Sequence, residues 1–192
     1  MTLRIVDRLE SPAQTATLLR GKAQKRIEEA EQAGFAGIEA ACRGRPLIIG
    51  PDLVELSRTH VTPPQTAALE SIFHIQRKVA LRQYETLRPC IVEPTTGVKI
   101  SQEIRPLQSM AIVVPGSWDE QVPHELGALL CAAVVAGVPR RMVLLEPDAA
   151  GGVSPVSILA AGMGEATEIF RAGGVAALVG LLAGWFGPVP DK

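Results

Sequence analysis

The residues best placed for chemistry stand at two turns. The first is Pro115-Gly116-Ser117, which closes the uncharged run from Met110 to Val114, and the second is Gly173-Gly174, which follows Glu168 to Phe170. Glycines between a strand and a helix let an anion approach backbone amides at the helix N-terminus, so Pro115, Gly116, Ser117, Gly173 and Gly174 are candidate ligand-binding residues. The detail argues against a dinucleotide. The first turn reads PGSWDEQVPHELG rather than GxGxxG, and Asp119 and Glu120 add negative charge where a phosphate would sit. His124, followed by Glu125 at a predicted helix start, is the candidate base for proton transfer. Adjacent helical residues point about 100° apart, however, so the pair makes no ready dyad and helix-start polarity is the plainer account. His60, His74 and His124 lack metal-ligand spacing, and no metal site is predicted. His74 reads as a packed or solvated helix residue, and Arg77, Lys78 and Arg82 as a solvated face.

The elements that position these turns repeat a cycle. Met110–Val114 reads as a buried strand, Leu126–Val135 as an Ala-rich helix ended by Gly137, and Arg141–Leu145 as a second strand closed by Glu146-Pro147. Ser154-Pro155 supplies an N-cap and N1 proline for a short helix over Ile158–Met163; Glu168–Phe170 is a third strand, and Val175–Gly184 a last helix. Strand, turn and helix in alternation specify βαβ units on a parallel sheet. Gly162 and Gly164 suit close packing.

Upstream, Ser11-Pro12 opens a helical stretch to Cys42 with an apolar stripe of Leu18, Leu19, Ala23, Ile27 and Ala30, broken near Gly34 and Gly37. Pro51–Ser57 adds a short turn. Thr62-Pro63-Pro64 starts a long amphipathic helix to about Leu87, with Leu69, Ile72, Phe73, Gln76, Val79, Ala80 and Gln83 on one face. CIVEP and VKISQEI around Thr95-Thr96-Gly97 read as a half-exposed β-hairpin, expected to clamp the edge of the α/β part. The predicted organisation is therefore a helical region over 1–88, a hairpin over 89–104, and an incomplete Rossmann-like α/β domain over 105–192, with a parallel sheet of three or four strands.

Composition narrows the function classes. Hydrophobic residues at 47% with aromatics at only 4% call for a core of Ala, Val, Leu and Ile packed against glycine, the habit of compact α/β folds. A net charge of −1 with scattered basic residues gives no nucleic-acid surface. The N-terminus has no unbroken apolar run, and no segment is apolar for long enough to span a bilayer, so a cytoplasmic protein is expected. Cys42, Cys90 and Cys131 form no CxxC pair and read as reduced thiols, Cys131 as a core residue.

RPLQSMAIVVPG, then Ala136-Gly137-Val138, MVLLEP, ILAAGMGEATEIF and RAGGVAALVGLLAG together resemble the first nucleotide-binding-type domain of histidinol dehydrogenases. Order and spacing agree with about one inserted residue after Ser117, and the upstream helices AEQAGFAGIEAACRG and ALESIFHIQRKVALRQYETLRP are similar to those preceding that domain. The resemblance covers most of this chain and less than half of a full-length member. It implies NAD and zinc as the family's cofactors, and two NAD-linked oxidations of an amino alcohol served by a Glu-His pair and by His, Gln and Asp zinc ligands. Those catalytic and zinc residues lie, in the family, beyond the position equivalent to Lys192. The tyrosine that contacts the dinucleotide before the family's PGG turn corresponds to Val113, the second glycine of that turn to Ser117, and the glutamine of GGAQAIAAL to Ala176. Both recognisable cofactor contacts are thus apolar here, and no cofactor is predicted.

The resulting expectation is a truncated histidinol-dehydrogenase-like protein, acting as a non-catalytic binding or interaction module. The alternatives are one half of a split NAD- and zinc-dependent dehydrogenase, or a small enzyme of different chemistry using the cleft near Gly116 and His124. From Ala172 to Gly187 there is no charged residue. That helix is therefore expected to be covered by a second copy or a partner protein, with a small-molecule ligand at the glycine turns as a further expectation.

Overall fold

The computed structural model describes residues 12–116 and 122–191. Ser11, the expected N-cap of the first helix, and Ser117, Asp119 and Glu120 of the first turn lie outside the described residues, as do the side chains of Leu18 and Leu19. The elements are α1 (Pro12–Ala41), α2 (Pro51–His60), α3 (Pro63–Thr86), β1 (Cys90–Thr95), β2 (Val98–Gln102), β3 (Ser109–Val114), α4 (Val122–Val135), β4 (Arg140–Leu145), α5 (Pro155–Met163), β5 (Glu168–Arg171) and α6 (Gly174–Leu182).

The sheet is parallel with the order β3-β4-β5. Its middle strand explains the architecture. Met142, Val143, Leu144 and Leu145 are all at most 1% exposed, because alternate side chains enter two different cores. Val143 and Leu145, with Ile112, Val114 and Ile169, pack on Leu69 and Phe73 of α3, Leu126 and Leu130 of α4, and Ile158 and Leu159 of α5. Met142, Leu144 and Phe170 pack on Ile38 of α1 and on Ala177 and Leu181 of α6. The mixed α/β fold expected from the strand–turn–helix cycles is present as three layers, with the crossovers α4 and α5 on one face of the sheet and α6 on the other. The N-terminal helices belong to these layers: α1 packs on α6, α2 on α5 and α3 on α4.

Local chemistry sets the element ends. Gly34 takes φ 59° and ψ −160°, which kinks α1 where the glycines were expected to interrupt it. The Thr62 amide donates to Gln65 Oε1 at 3.0 Å, so Gln65 serves α3 as a capping-box residue behind the two prolines. Ser154 holds the N-cap position of α5, but its hydroxyl makes no capping bond there; only its carbonyl accepts, from the Ile158 amide at 3.1 Å.

Three expectations need correction. Every residue of the hairpin β1–β2 is exposed, and it packs closely on no other element, so it projects from the molecule and clamps nothing. The face of α3 assigned from periodicity is only partly covered: Leu69, Phe73 and Ala80 are buried, whereas Val79 and Gln83 are exposed. In α1, Ala23 and Ile27 do not enter the core and instead line an open groove beside α6. Periodicity reports which residues share a helix face, while the neighbouring element decides how much of that face is covered.

Candidate functional site

In an open α/β sheet ligands collect beyond the carboxyl ends of the strands, and here those ends carry Gly116 after β3, Glu146 after β4 and Gly173 after β5. The Gly116 amide donates to Glu146 Oε2 at 2.8 Å. A Cβ built on Gly173 would lie 2.1 Å from Glu146 Cβ, and one on Gly174 would lie 3.2 Å from Glu146 Oε1. Gly174 also has φ +60°, so glycine is required at 173 by contact and favoured at 174 by conformation. The fold thus brings Gly116, Gly173 and Gly174 together around the protein's own carboxylate. The space left beside Pro115, Gly116, Glu146 and Ser154 is about 10 Å³, room for one water.

Glu146 was not singled out as a site residue in the sequence, where it only closed a strand. Its signal was there: a carboxylate immediately after an apolar strand, flanked in the fold order by two strands that end in glycine. An anion at the Gly116 amide would have to displace this carboxylate and lie close to it. Two unit charges about 4 Å apart repel by roughly 4 kcal/mol at an effective dielectric constant of 20. The residues present therefore do not fit a dinucleotide pyrophosphate at this turn.

His124 and Glu125 are exposed at the start of α4, and His124 lines neither the small space beside Gly116 nor the large groove described below. Among the described residues His124 makes no hydrogen bond with Glu125. His74 is exposed on α3, and His60 Nδ1 lies 3.0 Å from the Leu56 carbonyl oxygen of its own helix. Among the described residues no cluster of three or more His, Cys, Asp or Glu side chains is arranged to hold a metal ion.

The largest cavity lies elsewhere, along the outer side of β3. It encloses about 950 Å³ between Ala23, Ile27 and Glu31 of α1, Ala111 and Val113 of β3, and Leu178 and Leu182 of α6, and it is closed at one end by Val189–Asp191. Val113 lines this groove and Ala176 packs in the core beneath it, so both positions identified as lost cofactor contacts serve apolar packing. Among the described residues only Glu31 and Asp191 bring charge to the groove, and Asp191 is engaged: its Oδ2 accepts from the amides of Gln108 at 2.6 Å and Ser109 at 3.2 Å. A volume in the ligand range without convergent polar groups lacks the means to orient a small molecule.

The electrostatics elsewhere are structural. Arg140 donates to Glu168 at 2.8 and 3.1 Å and to the Phe186 and Pro188 carbonyl oxygens, tying the C-terminal tail to the sheet; the Glu168 hydrogen bond pushes its pKa up. Cys42 and Cys131 are buried, and burial pushes both thiols up. Arg171 is buried at the end of β5, bonded to the Pro46 carbonyl oxygen with its Nε unpartnered, and desolvation lowers its pKa.

Comparison with known proteins places this arrangement. The family model described as histidinol dehydrogenase matches residues 39–186. A histidinol dehydrogenase of Chlorobium chlorochromatii is 27% identical over 136 residues, which is 71% of this chain and 31% of that protein. One from Synechocystis is 33% identical over 125 residues, 65% of this chain and 28% of that protein. The crystal structure of histidinol dehydrogenase from Elizabethkingia anophelis superposes with a TM-score of 0.72 at 19% identity, covering 91% of this chain and 40% of the solved one. The chain thus spans about a third or less of the curated relatives it matches, and the solved neighbour shares its fold. The matched residues run from the end of α1 through α6 and take in both glycine turns and the whole sheet, and on that match the chain belongs to the histidinol dehydrogenase family.

Proposed function

We propose that this chain is a cytoplasmic, histidinol-dehydrogenase-like binding module that does not by itself oxidise histidinol. The observation that carries the reading is the Glu146 carboxylate, which accepts the Gly116 amide and presses on Gly173 where a dinucleotide phosphate would need those groups. Val113 and Ala176 support it, since apolar side chains stand at the two positions where the family resemblance implies cofactor contacts. The test is titration with NAD followed by calorimetry, together with an assay for NADH formation from histidinol. No saturation at micromolar NAD and no turnover are expected; saturable micromolar binding sinks the reading.

A second reading is supported by one observation: among the described residues no strand pairs with the outer side of β3, where a strand supplied by a second polypeptide would fit. On that reading the chain is the scaffold half of a two-chain dehydrogenase. Activity recovered on co-expression with a chain carrying the rest of the family's length would establish it.

A further inference from the structure

A second cluster of charged side chains stands at the C-terminal end of α5, the opposite end of that helix from the Gly116 cleft. Arg77 of α3 donates to Glu165 Oε1 at 2.7 Å, and the two side chains are 53% and 50% exposed. Beside them opens a pocket of about 220 Å³, lined by Phe73, Cys131 and Met163, which are buried or half-buried, and by His74, Arg77 and Glu165, which are exposed. It is therefore an apolar hollow with a polar rim. His74 and Arg77 are three residues apart on α3 and share one face of that helix. Burial pushes the Cys131 thiol up, Arg77 draws it back and Glu165 adds to the rise, so both rim charges act on the floor of the hollow.

Stability does not account for Glu165. It follows Gly164, the C-cap of α5, and takes φ +59°, a conformation that glycine enters freely and that a residue with a Cβ enters only at a cost. The surroundings hold it there: its amide donates to the Gly162 oxygen at 3.0 Å, and its carbonyl oxygen accepts from Arg141 Nε at 2.9 Å. The ion pair with Arg77, half exposed to water, returns little. A carboxylate kept over a pocket without net structural gain is strain retained for binding.

The contact between Arg77 and Glu165 uses one nitrogen and one oxygen. Among the described residues Glu165 Oε2 and the other side-chain nitrogens of Arg77 have no protein partner, so the rim offers donors and an acceptor together while the ion pair stays intact. A ligand carrying only a carboxylate would face Glu165, and one carrying only an amine would face Arg77; a zwitterion satisfies both. The volume is just below the roughly 300 Å³ at which pockets for drug-sized ligands begin, which suits a molecule of amino-acid size. We propose that this pocket binds an α-amino acid with an apolar side chain, its carboxylate on Arg77 and His74, its ammonium on Glu165, and its side chain against Phe73, Cys131 and Met163. The site is independent of the Gly116 turn and of the non-catalytic reading.

The test is calorimetric titration of the full chain with L-leucine, L-methionine and L-valine, alongside isoamylamine and 4-methylpentanoate, which are leucine without its carboxylate and leucine without its amine. Saturable binding of at least one amino acid at millimolar concentration or below is expected, with both single-charge analogues weaker by roughly tenfold or more. In methyl NMR the Met163 signal should move on titration while that of Met142, in the sheet core, stays. Glu165→Gly separates binding from folding: it relieves the backbone, so the thermal midpoint of the free protein is expected to hold or rise while affinity falls roughly tenfold. Arg77→Met is expected to weaken binding to a similar degree, whereas Arg82→Met, on the same helix and paired with Glu85, leaves it unchanged. Absence of saturation by all three amino acids in the millimolar range overturns the site. So do analogues bound as tightly as leucine, an unmoved Met163 methyl, or a Glu165→Gly variant that binds as well as wild type.

Discussion

The strand-end cleft and the flank of β3 are opposites. The cleft is polar, occupied by the protein's own Glu146 and reduced to about 10 Å³; the flank is apolar, nearly uncharged and opens a groove of about 950 Å³. A carboxylate held by a backbone amide satisfies locally what an anionic ligand would otherwise satisfy, so the cleft is self-sufficient. On the flank the contrast is plain among the described residues: Leu178 and Leu182 are exposed beside a strand edge with which no described strand pairs.

The contrast can be broken by mutation. The largest effect is expected for Gly173→Val, since even a Cβ would overlap Glu146; urea unfolding is expected to show a loss of about 3 kcal/mol, and a neutral result would mean the cleft is not closed as described. Next is Arg140→Ala, which removes the paired bonds to Glu168 and the anchors on Phe186 and Pro188, at about 2 kcal/mol. Hydrogen exchange at Ser109 should then rise as the Asp191 tail loosens, and unchanged protection would detach the tail from the flank's definition. Glu146→Ala is expected to cost only about 1 kcal/mol, because water can replace its bond to the exposed Gly116 amide. It should, however, let sulfate raise the thermal midpoint more than in wild type. A variant no more responsive to sulfate than wild type would make the glycine turns purely structural.

The smallest effect separates inside from outside by pH. Burial pushes the Cys42 and Cys131 thiols up, so folding favours their protonated forms. Their contribution to stability is full below the ordinary thiol value and is lost as pH rises above it. Alkylation of both at pH 8 should be slow until the protein unfolds; rapid native-state reaction would show that the α4 and α1 cores open readily.

Much of the fold was legible because short-range chemistry writes it. Four consecutive apolar residues, Met142 to Leu145, can be buried only on both faces of a sheet, and Gly34 marks the kink of α1 without help from the rest of the chain. The candidate turns were legible too, but their state was not. Gly116, Glu146 and Gly173 are far apart in sequence, and their contact exists only because β3, β4 and β5 lie in register. The hairpin shows the converse: local pairing formed β1 and β2 as expected, while their detachment from the α/β layers depended on surfaces that alternation does not encode.

The amino-acid order by itself determined the strands, helices and turns and the family they belong to, since periodicity, caps and glycines act over a few residues. Tertiary structure alone decided that Glu146 fills the cleft, that residues 47–49 cap β5, and that Asp191 docks on Gln108 and Ser109. Each of these is a meeting of segments distant in the chain, and which segments meet is set by how the layers pack.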